Sequence, residues 1–252
     1  MSNKSFSVRI KHKIKPFSKT IKVDSDKSLS IRSFLLGSIC QNISTVNNVL
    51  ESGDVKSAIK TCQKLGVVIK KIRHKSYKIY GKGLGSLFIK KNAELNFGNS
   101  GTLARLVLGI LSTTPNINIK IKGDHSLNKR SMEKLINLLS KFGATFLPIN
   151  KYTFPLKMIS SEMPVGIKYK AGVSAQLKSA VLLAGLNSYG NTIIEEQIIS
   201  RDHTENLLMK NIQSIKIIKK KKKIIIVKGK SYLNPLNLNI GGDPSSAAFF
   251  AA

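Results

Sequence analysis

The chain has 252 residues and carries 42 Lys and Arg against 13 Asp and Glu, a formal net charge of +29. Its hydrophobic share of 42% is ordinary for a globular protein, and Ile, Leu, Val and Phe run throughout, which excludes a disordered basic tail. No apolar run approaches the roughly 20 residues of a membrane span, Met1 to Arg9 lacks the apolar core of a signal peptide, and two cysteines cannot build a disulfide framework.

A cytoplasmic setting without membrane contact is therefore expected. So large a positive charge raises nucleic acid as a partner, but the excess is mostly Lys and is scattered apart from the run Lys219–Lys223. Aromatic residues are 6% and Trp is absent, which leaves few platforms for stacking bases. Nucleic acid is not expected to be the main partner.

Residues 1–23 are basic and strand-like. Ser28–Cys40 then reads as a helix apolar nearly all round, hence buried on most sides. Asp54–Leu65 is amphipathic instead, with Val55, Ala58, Ile59, Cys62 and Leu65 at helical spacing. The same pair recurs twice: apolar Gly101–Ser112 with amphipathic Ser131–Phe142, then apolar Ser174–Leu186 with amphipathic Asp202–Ile212. β-like stretches such as Ile117–Lys122 and Thr192–Glu196 lie between them. The apolar helices start at intervals of about 73 residues, too long for common solenoid repeats. The expected fold class is α/β: three copies of a βαβαββ unit closing on each other with threefold pseudo-symmetry. At the far end Asp243 can cap a new helix with Pro244 in its first turn. That apolar stub, ending at Ala252, reads as the start of a part supplied by further chain or by a partner.

Each apolar helix begins in a polar cluster: Asp26-Lys27-Ser28-Leu29-Ser30-Ile31-Arg32, Gly98-Asn99-Ser100-Gly101-Thr102-Leu103-Ala104-Arg105, and Val173-Ser174-Ala175-Gln176-Leu177-Lys178-Ser179. Free N–H groups and small hydroxyls at a positive helix end form a natural anion site, although any one cluster alone reads as an ordinary cap. Threefold closure would bring the three ends together. A fourth cluster, Gly123 to Met132, contains Arg130 at what the pattern makes a helix start. A cation there opposes the helix dipole, so a carboxylate or phosphate grip is its functional reading.

These segments, with Ser200-Arg201-Asp202-His203-Thr204-Glu205 and Gly242-Asp243-Pro244-Ser245-Ser246-Ala247, appear in one order from residue 26 to 250. Together they resemble the 5-enolpyruvylshikimate-3-phosphate synthase family, and the Ser-Ala-Gln and Arg-Asp-His-Thr-Glu forms resemble its class II branch. The resemblance implies a C-terminally truncated chain of a two-domain fold. Residues 1–23 would be strands of the discontinuous other domain, 24–238 a complete three-repeat domain, and 239–252 a crossover and the start of the missing part. It implies shikimate 3-phosphate and phosphoenolpyruvate as partners, no cofactor, no metal, and a monomer at full length. Lys27 would contact both substrates and serve catalysis as acid or electrostatic stabiliser. Ser28, Arg32, Ser174, Ala175, Gln176 and Arg201 would bind shikimate 3-phosphate. Asn99, Gly101 and Arg130 would bind phosphoenolpyruvate. The family's main catalytic carboxylates would lie in the C-terminal region, leaving the truncated chain alone inactive. The alternative is a non-catalytic half-protein that binds anions or nucleic acid.

Other conspicuous residues receive plainer readings. Cys40 and Cys62 fall on apolar faces and read as core, and His12, His74 and His125 read as surface. His203 is not taken into the site. Gly81, Gly83 and Gly85 read as a turn, and Lys219–Lys223 as a solvated hairpin tip.

Overall fold

The computed structural model describes Ser7, Arg9, Ser18, residues 20–219 and residues 222–251. Most of the expected N-terminal strand region, with His12, lies outside the described residues; residues 20–24 are irregular rather than strand. The first unit contains α1 (Lys27–Ile39), β1 (Ile43–Asn47), α2 (Gly53–Lys64), β2 (Val68–Arg73) and β3 (Ser76–Tyr80). The second contains β4 (Glu94–Asn96), α3 (Gly101–Ser112), β5 (Asn118–Lys122), α4 (His125–Asn128), α5 (Glu133–Ser140), β6 (Thr145–Leu147) and β7 (Leu156–Ile159). The third contains β8 (Lys168–Ala171), α6 (Ala175–Leu186), β9 (Asn191–Glu196), α7 (His203–Leu208), β10 (Ile215–Lys219) and β11 (Lys223–Lys228). β12 (Asn237–Asn239) and α8 (Pro244–Ala251) follow.

The strands form three four-stranded sheets of one design: β12-β1-β3-β2, β4-β5-β7-β6 and β8-β9-β11-β10. In each, the leading pair is parallel and the rest antiparallel. A parallel pair needs a crossover, and α3 and α6 provide it in the second and third units. The first unit differs from the consecutive repeat read in the sequence. Its leading strand is β12, recruited from the far end, where Thr45, Val46 and Asn47 pair with Asn237, Leu238 and Asn239.

The sheets enclose α1, α3 and α6, whose apolar side chains point in every direction and are nearly all buried. Leu103, Leu106, Val107, Leu108 and Leu111 of α3 have no solvent exposure. Burying each such leucine is worth about 1.5–3 kcal/mol. α3 and α6 pack backbone to backbone: a Cβ on Gly109 would lie 2.9 Å from Ala180 Cα. The amphipathic helices lie outside, with Val55, Ala58 and Cys62 of α2 and Leu135, Ile136 and Leu139 of α5 facing inward. Cys40 and Cys62 are both buried, as the sequence indicates. Gly83 and Gly85 take positive φ in an irregular segment, consistent with a turn.

Two expectations need correction. The cluster around Arg130 does not run straight into the amphipathic helix expected from Ser131. It contains the short α4, ended by Lys129, and α5 begins only at Glu133. Arg130 thus stands in the turn between the C-terminus of α4, where a cation is favoured, and the start of α5, where it is not, so the dipole alone no longer sets it apart. Nor is the Lys219–Lys223 run wholly a solvated tip. Lys220 and Lys221 lie outside the described residues, but the Lys223 side chain is only 12% exposed and turns inward onto two carboxylates.

Candidate active site

The three inner helices are capped alike. Asp26 Oδ1 accepts from Leu29 N at 2.7 Å, Ser100 Oγ from Leu103 N at 3.3 Å, and Ser174 Oγ from Leu177 N at 3.3 Å. The plain cap reading thus holds for Ser100 and Ser174, while at α1 the cap is Asp26 and Ser28 is left facing a cavity. The capped starts converge, and two neighbouring cavities open there.

The first cavity, about 410 Å³, is lined by Lys27, Asp54, Asn99, Gly101, Thr102, Arg105, Arg130 and Gln176. Arg130 Nη2 donates to Asn99 Oδ1 at 2.9 Å. Arg105 Nη1 donates to Gly101 O and to Gln176 Oε1, both at 3.1 Å, and Gln176 Nε2 donates to Thr102 Oγ1 at 2.9 Å. A Cβ on Gly101 would lie 2.8 Å from Arg105 Nη1 and 3.2 Å from Arg130 Nη1, so glycine there lets both guanidiniums reach the start of α3. Burial and then the neighbouring Arg130 lower the Arg105 pKa. The carboxylate lining this cavity, Asp54 Oδ2, sits 3.2 Å from Lys27 Nζ.

The second cavity, about 380 Å³, is lined by Ser28, Arg32, Val173, Ser174, Ala175, Gln176, Ser200, Arg201 and His203. Gln176 therefore belongs to both. Arg32 is buried, and that burial pulls its pKa down to about 10, with Asp26 and Glu205 acting the other way and Arg201 adding to the drop. It is held rigidly: Nε donates to Thr204 Oγ1 at 2.9 Å, Nη2 to Ser179 Oγ at 3.2 Å and Nη1 to Ser28 O at 3.2 Å. No carboxylate lines this cavity, while two guanidiniums do. An anion accepting from a buried guanidinium makes the stronger, charge-assisted kind of hydrogen bond.

Every residue singled out in the sequence as a site candidate lines one cavity or the other: Lys27, Asn99, Gly101, Arg130 and Gln176 the first, and Ser28, Arg32, Ser174, Ala175, Gln176 and Arg201 the second. Sequence reasoning missed Asp54, Thr102, Val173 and Ser200, gave Arg105 no direct role, and left out His203, which lines the second cavity. Membership of the Ser200–Glu205 motif was the signal for Ser200 and His203. Asp54 gave none beyond its place in the first turn of α2. His74 and His125 are exposed, as expected.

Three βαβαββ units whose inner helices aim capped starts and five cations at adjoining cavities define a domain suited to small polyanions. The family model for EPSP synthase (3-phosphoshikimate 1-carboxyvinyltransferase) matches residues 11–252, and the chain belongs to that family. The 3-phosphoshikimate 1-carboxyvinyltransferase of Vesicomyosocius okutanii is 41% identical over 231 residues, covering 91% of this chain and 52% of the relative. That of Sulfurihydrogenibium sp. (strain YO3AOP1) is 39% identical over 251 residues, covering 95% and 56%. The solved EPSP synthase of Acinetobacter baumannii superposes with a TM-score of 0.81 at 34% identity, over 91% of this chain and 51% of that one. The chain thus spans about half the length of the curated relatives it matches. Among the described residues, no helix is long and apolar enough to cross a membrane.

Proposed function

We propose that this chain forms one wall of the active site of an enzyme that transfers the enolpyruvyl group of phosphoenolpyruvate to shikimate 3-phosphate, releasing phosphate in aromatic amino-acid biosynthesis. The observation that carries this reading is the pair of contiguous cationic cavities sharing Gln176. One suits each small anion, and their contact brings the two reactants side by side.

In this reading Arg32 and Arg201, with Ser28, Ser174, Ala175 and Gln176, hold the phosphate and ring of shikimate 3-phosphate. Asn99, Gly101 and Arg130 hold phosphoenolpyruvate, and Arg105 steadies Gln176 between the two. The substrate hydroxyl loses its proton to a base as its oxygen bonds to the enol carbon, and the methylene carbon takes up a proton. The carbon–phosphate oxygen bond then breaks while a proton leaves the new methyl carbon, restoring the double bond. Lys27, oriented by Asp54, stands where it can stabilise charge or deliver the proton. A cytoplasmic setting and a monomer at full length go with this reading. The comparisons lend no support to a nucleic-acid-binding half-protein.

Titration of the native protein containing this sequence with each substrate tests the reading. Arg32→Ala should weaken shikimate 3-phosphate selectively and Arg130→Ala phosphoenolpyruvate selectively. Affinities indifferent to both changes would overturn it.

A further inference from the structure

Behind the second cavity lies an ionic cluster that none of the roles above uses. Lys178 of α6 has no solvent exposure. Its Nζ is 2.6 Å from Glu196 Oε1 at the end of β9 and 2.6 Å from Glu205 Oε1 in α7. Lys223 Nζ, from the start of β11, is 3.1 Å from Glu196 Oε2 and 3.6 Å from Glu205 Oε1. Two ammoniums thus balance two carboxylates in the interior. Such a group is a poor source of stability, since desolvation offsets most of the attraction and apolar residues of similar volume would serve as well. What charges supply that apolar packing does not is a fixed direction.

That direction bears on the cavity. Glu196 and Glu205 bracket the segment containing Ser200, Arg201, His203 and Thr204, and both reach back to the helix whose start carries Ser174, Ala175 and Gln176. Glu196 Oε1 also accepts from Ser200 N and Ser200 Oγ, both at 2.8 Å. Thr204, adjacent to Glu205, accepts from Arg32 Nε and donates to Ser179 Oγ at 2.8 Å. The helix carrying Thr204 has six residues and no side-chain cap, far short of what holds a helix alone. Its placement depends on tertiary ties, and Glu205 provides one at its centre.

We propose that Lys178, Glu196 and Glu205 are positioning residues: the buried quartet clamps both ends of the 196–205 segment so that Arg201 and Thr204 meet Arg32 in a geometry fit for a phosphate dianion. This rests on the second cavity being the shikimate 3-phosphate site. The test uses the native protein and the double variant Lys178→Met/Glu205→Gln, which removes one charge of each sign and leaves Glu196 balanced by Lys223. The melting temperature reports folding. Tryptic cleavage after the exposed Arg201, located by mass spectrometry, reports the clamp. Calorimetric titration with shikimate 3-phosphate reports the cavity. The expected result is a folded variant that is cut after Arg201 about tenfold faster and binds shikimate 3-phosphate about ten- to a hundredfold more weakly. If the double variant does not fold, Glu196→Gln, which loses a charge but keeps its shape, is read the same way. A folded variant with unchanged cleavage and affinity would overturn the proposal. Accelerated cleavage in a protein whose unmodified form ignores shikimate 3-phosphate would retain the clamp and discard the substrate reading.

Discussion

Arg32 Nε and Thr204 Oγ1 lie 2.9 Å apart, although 172 residues of chain separate them. The bond joins the first unit to the third and fixes the buried guanidinium at the wall of the second cavity. Arg32 is therefore aimed before any ligand arrives, and the cost of orienting it has been met during folding.

Replacing Arg32 with Ala should weaken shikimate 3-phosphate by about 1.5–3 kcal/mol, the usual worth of a hydrogen bond to a charged group. Arg32→Lys should not rescue it, because an ammonium cannot reach Thr204, Ser179 and the ligand in one plane. Isothermal titration calorimetry on both variants checks this.

Gly101→Ala should act chiefly on the first cavity. The added Cβ meets Arg105 Nη1 at 2.8 Å and Arg130 Nη1 at 3.2 Å, and the flexible guanidiniums will yield before the helix does. The expected outcome is weaker phosphoenolpyruvate binding by about tenfold, a displacement effect, with a smaller loss for shikimate 3-phosphate, because the displaced Arg105 holds Gln176 between the cavities. Parallel titrations with the two proposed substrates read the difference.

His203 is held below the ordinary 6.5 by burial, with Arg32 and Arg201 adding to the drop against the pull of Asp26 and Asp202. Between the lowered value and 6.5 the folded state binds fewer protons than the unfolded chain, so stability falls as pH drops through that window. An NMR titration of the imidazole should show the low pKa, and shikimate 3-phosphate should raise it, because a dianion nearby favours the imidazolium.

Glu196 predicts a second, more acidic loss. Burial resists its ionisation, but Lys178, the Ser200 N–H and hydroxyl, and Lys223 overcome this and hold it at about 2, against an ordinary 4.5. Its contribution is present in full above 4.5 and is lost as pH falls toward 2. Urea melts across that range should show stability declining, and the Glu196→Gln variant should show less of the decline.

Gly109→Val tests the packing of the inner helices. A side chain there meets Ala180 backbone, which cannot swing aside. Overpacking of this kind costs about 1–3 kcal/mol or more, readable as a lowered denaturation midpoint.

The inner helices were legible because their composition is unusual: a run such as Gly101–Ser112, apolar nearly all round, has few places to go but the centre. Their polar starts were legible because Ser100, Ser174 and Asp26 recur at equivalent positions. β12 was not, since pairing between Val46 and Leu238 leaves no local trace across so many residues. Lys223 misled because a lysine run looks solvated whichever member folds inward, and α4 was hidden by being only four residues long. Arg130 does precede α5, but the dipole of that helix is not what places it, because α4 ends just before it. Its place beside Asn99 comes from the turn after α4 instead.

The closure of the first sheet by β12 has one more consequence. Asp26 N donates to Gly241 O at 2.9 Å, Asp243 N donates to Asp24 O at 2.8 Å, and Ser25 bridges Gly242. The strands of chain that enter and leave the three-unit body therefore run side by side, like the two cords of a pendant. The chain before residue 26 and the chain after residue 241 meet the three-unit body at that one clasp, so the three sheets and both cavities share a single point of attachment.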